Sequence, residues 1–135
     1  IKIRSADDAP LITQLVVNEQ IRVLFESDAG AEAEMALLRS GDDLKSDILI
    51  KGQHHSGDSG TPEFLDGVKP KLIIATSRES PVAEQISDEW SSEIARRGIK
   101  LFRQDWTGAV EIQFRGEDWT TRSYLTGEGF RSSKR

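Results

Sequence analysis

The chain has 135 residues, a hydrophobic fraction of 36%, a charged fraction of 30% and a formal net charge of −5 at pH 7. This length favours a single domain over residues 1–135, and the composition is typical of a folded globular protein rather than a disordered one. The acidic balance excludes a global attraction to nucleic acid, and the absence of cysteine excludes disulfides and thiolate metal sites.

The sequence shows no membrane or export segment. No apolar run approaches the roughly 20 residues that span a bilayer, and no basic and apolar signal peptide is recognisable. A cytoplasmic location is therefore the default expectation. The chain begins with Ile1 rather than Met, which predicts a processed form or a fragment of a longer protein.

Two short apolar runs come first. Leu11–Val17 and Ile21–Phe25 predict strands, and the short polar link between them predicts a hairpin. A helix is predicted over Ala31–Arg39, which is rich in strong helix formers and is closed by Gly41. Asp47–Lys51 then predicts a buried strand.

Capping residues mark two further helices. Thr61 followed by Pro62 predicts a short one. Ser80-Pro81 predicts the start of a longer one that ends before Gly98. The apolar residues of this longer helix recur at i, i+4 spacing: Val82, Ile86, Trp90 and Ile94. Between the two helices, Leu72–Thr76 predicts an apolar strand.

Three more strands are predicted at the end of the chain, over Ile99–Arg103, Ala109–Phe114 and Trp119–Tyr124. The resulting order is β-β-α-β-α-β-α-β-β-β. Strands and helices interleave in the middle, with hairpins at both ends. This pattern predicts the α/β or α+β class, with a mixed β-sheet and helices packed on one face.

A basic cluster lies in the last quarter of the chain. It consists of Arg115, Arg122, Arg131, Lys134 and Arg135. A solvated tail is favoured over a phosphate-binding patch as its interpretation. The tryptophans Trp90, Trp106 and Trp119 are expected in the core.

The two histidines, His54 and His55, directly follow the predicted strand Asp47–Lys51. Ligand-binding residues of α/β sheets commonly lie at the carboxyl ends of strands, and imidazole binds zinc and other transition metals. The alternative for this pair is two polar loop residues. Asp28 follows another strand, Ile21–Phe25, and can either cap the next helix or act as an oxygen ligand. If the two strands are neighbours, Asp28 and His54 converge at one sheet edge as part of a zinc, manganese or iron site.

Four segments carry a more specific pattern. Residues 20–29 (QIRVLFESDA) are similar to a strand that ends in Thr-Gly-Asp, and residues 44–55 (LKSDILIKGQHH) to a Leu-Lys-Ala-Asp-Val-Leu-Lys-Val-x-His-His-Gly-Ser block. Residues 61–71 (TPEFLDGVKPK) match a Pro-Glu-Phe-Leu-x-x-Val-x-Pro-Lys helix and turn, and residues 105–110 (DWTGAV) an Asp-x-x-Gly-Ala-Val ending. Over residues 11–112 the chain thus resembles the metallo-β-lactamase-fold domains related to bacterial DNA-uptake proteins of the ComEC/Rec2 type.

The resemblance implies the C-terminal half of an αββα sandwich. It implies Asp28 as a bridging metal ligand and His54 or His55 as the last ligand, with His54 the first choice. The implied cofactor is zinc or another divalent metal such as manganese or iron. The implied activity is hydrolysis of phosphodiester or similar bonds.

The chain also departs from the family pattern. The family's N-terminal His-x-His-x-Asp-His block is absent, and its downstream Gly-His-Pro has no histidine here. Ser27 replaces the Gly before the metal-binding Asp, and His-His-Gly-Ser has become His-His-Ser-Gly at residues 54–57.

Two hypotheses follow. In the first, an N-terminal half that carries the missing histidines completes a metal-dependent hydrolase, and the present chain alone is expected to be inactive. In the second, the domain is a degenerate, non-catalytic relative used for binding or assembly. A half domain also predicts an exposed sheet face and a partner that covers it, either the missing N-terminal half or a second copy of the chain. Nucleic acid is a further candidate partner, which the net charge does not favour.

Overall fold

The structure is a computed structural model that describes residues 10–54, 59–77, 80 and 85–132. The strands within these residues are β1 (Thr13–Val17), β2 (Ile21–Ser27), β3 (Ile48–Lys51), β4 (Leu72–Ala75), β5 (Lys100–Arg103), β6 (Val110–Arg115), β7 (Asp118–Ser123) and β8 (Gly129–Arg131). The helices are α1 (Ala31–Arg39), α2 (Pro62–Val68), α3 (Asp88–Arg96) and the one-turn α4 (Gln104–Thr107). His55 lies outside the described residues, as do Val82, Lys134 and Arg135.

A mixed five-stranded sheet forms the centre of the fold, in the order β1-β2-β3-β4-β5. The β1–β2 hairpin is antiparallel, as predicted, and β2 to β5 run parallel. The short strands β3 and β4 are almost wholly apolar because both of their faces are covered. Since β2 to β5 are parallel, their carboxyl ends all meet at one edge of the sheet, called here the carboxyl edge.

Helices α1, α2 and α3 cover one face of this sheet, as the sequence predicts. Their apolar side chains pack with those of the central strands in one cluster, which includes Leu24, Leu49, Phe64, Leu65, Ile73 and Ile94. Helix α2 begins as predicted, with the Thr61 hydroxyl accepting a hydrogen bond from the backbone N–H of Phe64 at 3.3 Å. The expected mixed sheet with helices on one face is confirmed.

A second, antiparallel sheet of β6, β7 and β8 covers the opposite face. Trp119 is 2% exposed and packs with Phe130 against the inner strands, with the two ring centroids 5.5 Å apart. The buried residues of the central sheet on this side are Ile21, Val23, Ile48, Leu72, Ile74 and Phe102. The expectation of an exposed sheet face is therefore not met over the middle of the sheet. Exposed apolar side chains remain near its first strand, at Leu11, Leu15, Val16 and Phe25.

Helix α3 is shorter than predicted. It begins at Asp88, because the Ser87 hydroxyl accepts a hydrogen bond from the backbone N–H of Trp90 at 3.1 Å and caps the helix there. Ile86 is buried although it precedes the helix, so its apolar character reflects core packing rather than helical periodicity. Ser80 is described, but it is not helical.

Two short elements were not predicted. Helix α4 is a single turn and β8 has three residues, so neither is long enough to show a hydrophobic period. Trp106 lies in α4 and is 65% exposed, which contradicts its expected place in the core; Trp119 is buried, as expected. None of the helices in the described ranges is long and apolar enough to cross a bilayer.

Candidate functional site

Asp28 and His54 lie at the carboxyl edge on adjacent strand ends. Asp28 follows the last residue of β2, and His54 comes three residues after the end of β3. The two strands are parallel neighbours, and the backbone N–H of Gly52 donates to the carbonyl of Ser27 at 2.8 Å beyond their paired region. Both candidate ligands thus lie at the same edge of the sheet, because the strands that precede them are neighbours.

Two glycines allow this close approach. A Cβ atom built on Gly52 would lie 1.8 Å from Oδ1 of Asp28, and one built on Gly30 would lie 2.8 Å from the His54 ring. The Asp28 side chain therefore packs on the backbone of residues 52–54, called here the histidine segment, and the His54 ring packs on the backbone that follows Asp28. His54 is only 6% exposed in this arrangement. The two segments are interlocked, and each side chain is fixed by a glycine of the other segment.

The last residue of β2 has an unusual backbone. Ser27 has φ 59°, in the left-handed region that favours glycine, and the β2–β3 register shifts between Phe25 and Ser27. A serine thus adopts here a conformation that is strained for residues other than glycine, at a position where the pattern described above has Gly. The shift turns Asp28 out of the strand and toward Gly52.

The metal-ligand set is not complete in the described part of the chain. Across residues 10–54, 59–77, 80 and 85–132, the structure shows no group of three or more His, Cys, Asp or Glu residues placed to hold a metal ion. Asp28 and His54 are two donors, and the third predicted ligand, His55, falls outside the described residues.

Glu34 is a buried charged residue near this site that the sequence analysis missed. It is 0% exposed, and its carboxylate accepts hydrogen bonds from the backbone N–H of Gly60 at 2.5 Å, the N–H of Thr61 at 3.0 Å and the Thr61 hydroxyl at 2.7 Å. It therefore ties α1 to the start of α2, just after the histidine segment. The sequence does indicate that Glu34 is buried, because Glu34 stands four residues before Leu38 and therefore lies on the apolar face of α1.

Lys51 is a second missed residue, at the end of β3. It is 2% exposed, and its ammonium donates to the carbonyl of Gly52 at 2.9 Å and to Oε1 of Gln53 at 2.5 Å. The Trp90 ring lies 4.8 Å from Nζ. Burial lowers the pKa of Lys51, while the carboxylates of Glu26, Glu34 and Asp28 act in the opposite direction.

Glu26 completes this buried cluster of Glu26, Glu34 and Lys51. It is 0% exposed, and neither of its carboxyl oxygens has a hydrogen-bond partner among the residues described. Burial and the neighbouring Glu34 raise the pKa of Glu26 well above its ordinary value, against the opposing effect of Lys51. A raised pKa favours the neutral form of Glu26, and with Glu26 neutral the cluster would hold the hydrogen-bonded Glu34 carboxylate against the Lys51 ammonium. Where the family pattern has Thr before Gly-Asp, this chain thus places a buried carboxyl group.

The Asp-x-x-Gly-Ala-Val segment also begins at the carboxyl edge, after β5. Asp105 accepts from Arg103 at 2.9 and 3.3 Å, and the Arg103 guanidinium lies 3.7 Å from the centre of the Trp106 ring. Gly108 has φ 66°, and a Cβ atom there would lie 2.8 Å from Leu125. This segment turns the chain from the first sheet into the second.

The chain is similar in sequence to part of a known protein. The chain is 29% identical over 91 residues to a protein described as competence protein ComA, from Neisseria gonorrhoeae. The match covers 67% of this chain but 13% of that protein, so the chain spans a small part of its length. No protein-family model matches the chain. The similarity agrees with the resemblance to DNA-uptake proteins and leaves the metal site and the hydrolase activity as predictions.

Proposed function

We propose that this chain supplies part of the metal centre of a metal-dependent hydrolase that cleaves phosphodiester bonds, within a protein related to DNA uptake. The observation that carries the proposal is the interlocked packing of Asp28 on Gly52 and of His54 on Gly30. The two glycines let the carboxylate and the imidazole each pack on the backbone of the neighbouring strand-end segment. The similarity to a competence protein supports the DNA-uptake context.

The donor chemistry fits a divalent transition metal. A carboxylate oxygen and an imidazole nitrogen are ligands that zinc, manganese and iron accept together. When bound, such a metal lowers the pKa of a water molecule and polarises a phosphoryl oxygen. The protein's own part is to hold the donors in place, and the hydrogen bonds of Glu34 to Gly60 and Thr61 fix the segment after the histidines for this purpose.

Further ligands must complete the centre. Catalytic zinc sites use three protein ligands, and Asp28 and His54 supply two. We propose that the others come from His55 or from another segment of the full polypeptide, which then also covers the apolar residues exposed near β1. The much greater length of the similar competence protein is consistent with such a segment.

The test is metal analysis of the full polypeptide as the gene encodes it. We expect about one equivalent or more of zinc, manganese or iron, together with hydrolysis of bis(p-nitrophenyl) phosphate that a chelator abolishes. Asp28→Asn and His54→Gln are each expected to lose most of the metal and the activity. Asp42→Asn, an exposed aspartate after α1, is the matched control and is expected to retain both.

A specific observation favours the alternative of a degenerate, non-catalytic module. Burial lowers the pKa of the Lys51 ammonium and the nearby Asp28 carboxylate opposes that effect. A lysine can balance a carboxylate in place of a metal. Full polypeptide that binds no metal, with Asp28→Asn and His54→Gln indistinguishable from wild type in metal content, would reject the hydrolase proposal in favour of this one.

A further inference from the structure

The outer face of the second sheet carries three arginines. Arg115, Arg122 and Arg131 come from β6, β7 and β8, and all three are exposed. Side chains alternate along a strand, so the neighbouring residues Trp119 and Phe130 face the core while the arginines face solvent. The basic cluster that the sequence assigned to a solvated tail therefore lies, in its described part, on one face of a folded sheet.

These arginines have no partners within the described part of the chain. None of the three guanidinium groups makes an ion pair or a hydrogen bond with a described residue, whereas Arg22, Arg97 and Arg103 are each paired with an aspartate. Arg22, Arg97 and Arg103 are thus neutralised locally, whereas the three arginines of the outer face are available to an external anion.

Two acidic residues share this face without neutralising the arginines. Glu111 lies opposite Arg122 in the strand register, but its Oε1 accepts from Nε2 of Gln113 at 2.8 Å, along its own strand. Asp118 lies opposite Arg115 and forms no ion pair with it. The acidic residues limit the net charge of the face and leave its three arginines unpaired.

A groove runs along this face. It consists of three depressions of about 440, 300 and 260 Å³. The first and second share Glu111 and Arg122, and the second and third share Gln113 and Thr120, so the depressions adjoin one another along the face. Gly129 stands opposite Arg122 on β8 and adds no side chain to the groove. The third depression ends between Arg115 and Arg131.

An exposed aromatic residue lines the other end of the groove. Tyr124 is 83% exposed, and its backbone is held by a hydrogen bond from its N–H to the carbonyl of Ala109 at 2.8 Å. An extended ligand with regularly placed anions and flat rings matches this arrangement. Arginines bind phosphates, and aromatic side chains stack on bases without regard to their sequence.

We propose that this groove binds single-stranded nucleic acid, with backbone phosphates on Arg115, Arg122 and Arg131 and a base stacked on Tyr124. The site belongs to the second sheet and uses none of the residues assigned to the metal centre. It therefore stands or falls independently of the hydrolase proposal.

The test is fluorescence anisotropy of a labelled 20-nucleotide oligothymidylate with the full polypeptide, at several salt concentrations. The triple variant Arg115→Gln/Arg122→Gln/Arg131→Gln is expected to weaken binding at least ~10-fold, and to reduce the slope of log K against log salt by about 0.7 for each lost phosphate contact. Tyr124→Ala is expected to weaken binding roughly 5-fold or more, the effect of losing one stacked base. Tyr124→Phe keeps the ring and is expected to bind as wild type does.

A matched control removes three exposed positive charges elsewhere, in Arg39→Gln/Lys45→Gln/Lys69→Gln. It is expected to bind the oligonucleotide nearly as well as wild type. Equal losses in the two triple variants would show a diffuse charge effect and overturn the proposal, as would the absence of measurable binding.

Two competitors without bases separate the ligand classes. Inorganic polyphosphate is expected to compete through the arginines but with an affinity that Tyr124→Ala leaves unchanged. Polyglutamate is expected to compete weakly. If polyglutamate bound as tightly as the oligonucleotide and Tyr124→Ala affected neither, the groove would be a site for an acidic protein and the nucleic-acid proposal would be wrong.

Discussion

At the carboxyl edge of the first sheet, Glu26, Glu34 and Lys51 are all at most 2% exposed. On the outer face of the second sheet, Arg115, Arg122 and Arg131 are all exposed. The first group is enclosed by helices and by the histidine segment. The second group faces water on three neighbouring strands. The two regions thus hold charged side chains in opposite environments within one small domain.

The difference decides what each region can do. A buried charge costs several kcal/mol unless hydrogen bonds and an opposite charge compensate it, so the geometry of the buried cluster is closely determined. Exposed charges interact weakly and are screened by salt, so the arginines of the outer face can adapt to a flexible ligand. The carboxyl edge suits a site that must hold donors at fixed positions, and the outer face suits reversible binding of a polymer.

The largest effect that this comparison predicts is for Glu34→Ala. The substitution removes three hydrogen bonds that a buried carboxylate accepts, and leaves the ammonium of Lys51 with less compensation. We expect a loss of about 3–5 kcal/mol in the free energy of unfolding, measured by urea denaturation. The matched substitution on the outer face, Glu111→Ala, is expected to change stability by less than about 0.5 kcal/mol. Similar losses for the two variants would remove the distinction between the regions.

A smaller effect is expected for Gly52→Ala. The new methyl group collides with the Asp28 carboxylate, whose Oδ1 would be 1.8 Å away, so Asp28 must move. We expect a loss of about 1–3 kcal/mol and a fall in metal content of the full polypeptide. If the collision is the cause, the double variant Gly52→Ala/Asp28→Ala is more stable than the sum of the two single losses predicts. Strict additivity would show that the two side chains do not meet.

The sequence predicted the parts of the fold that depend on local patterns. The boundaries of α1, the Thr61 cap and the strand-end positions of Asp28 and His54 follow from propensity, capping and strand periodicity. The same patterns could not show that Lys51 is buried, because a lysine at the end of a strand is usually solvated and here a helix residue, Trp90, covers it. Nor could they show the glycine-like turn at Ser27, since serine carries no signal for a positive φ.

The second sheet was predicted only in part, for a similar reason. Its first two strands show alternation, but Gly129–Arg131 is too short to do so. Its packing across the first sheet depends on residues far apart in sequence, such as Ile48 and Trp119. The position of Arg131 opposite Thr120, on the same face as Arg122, could therefore not be derived from the chain order.

The smallest effect concerns Glu26, and its sign depends on pH. The folded protein raises the pKa of this carboxyl, mainly by burial, above its ordinary value of 4.5. The neutral form is thus retained in the folded protein at pH values where the unfolded chain has already ionised. The associated stability is complete below pH 4.5 and is lost as the pH rises through the folded-state pKa.

Glu26→Gln keeps a neutral side chain at every pH. We expect its unfolding free energy to equal that of wild type near pH 4 and to exceed it by on the order of 1 kcal/mol at pH 8. Urea denaturation across this range, with the exposed Glu32→Gln as control, measures the difference. If the unfolding free energies of wild type and Glu26→Gln changed with pH in parallel, Glu26 would be ionised in the folded protein, with its charge balanced by Lys51. The buried cluster of Glu26, Glu34 and Lys51 would then carry a net negative charge. It would attract a cation to the carboxyl edge more strongly than the same cluster with a neutral Glu26 does.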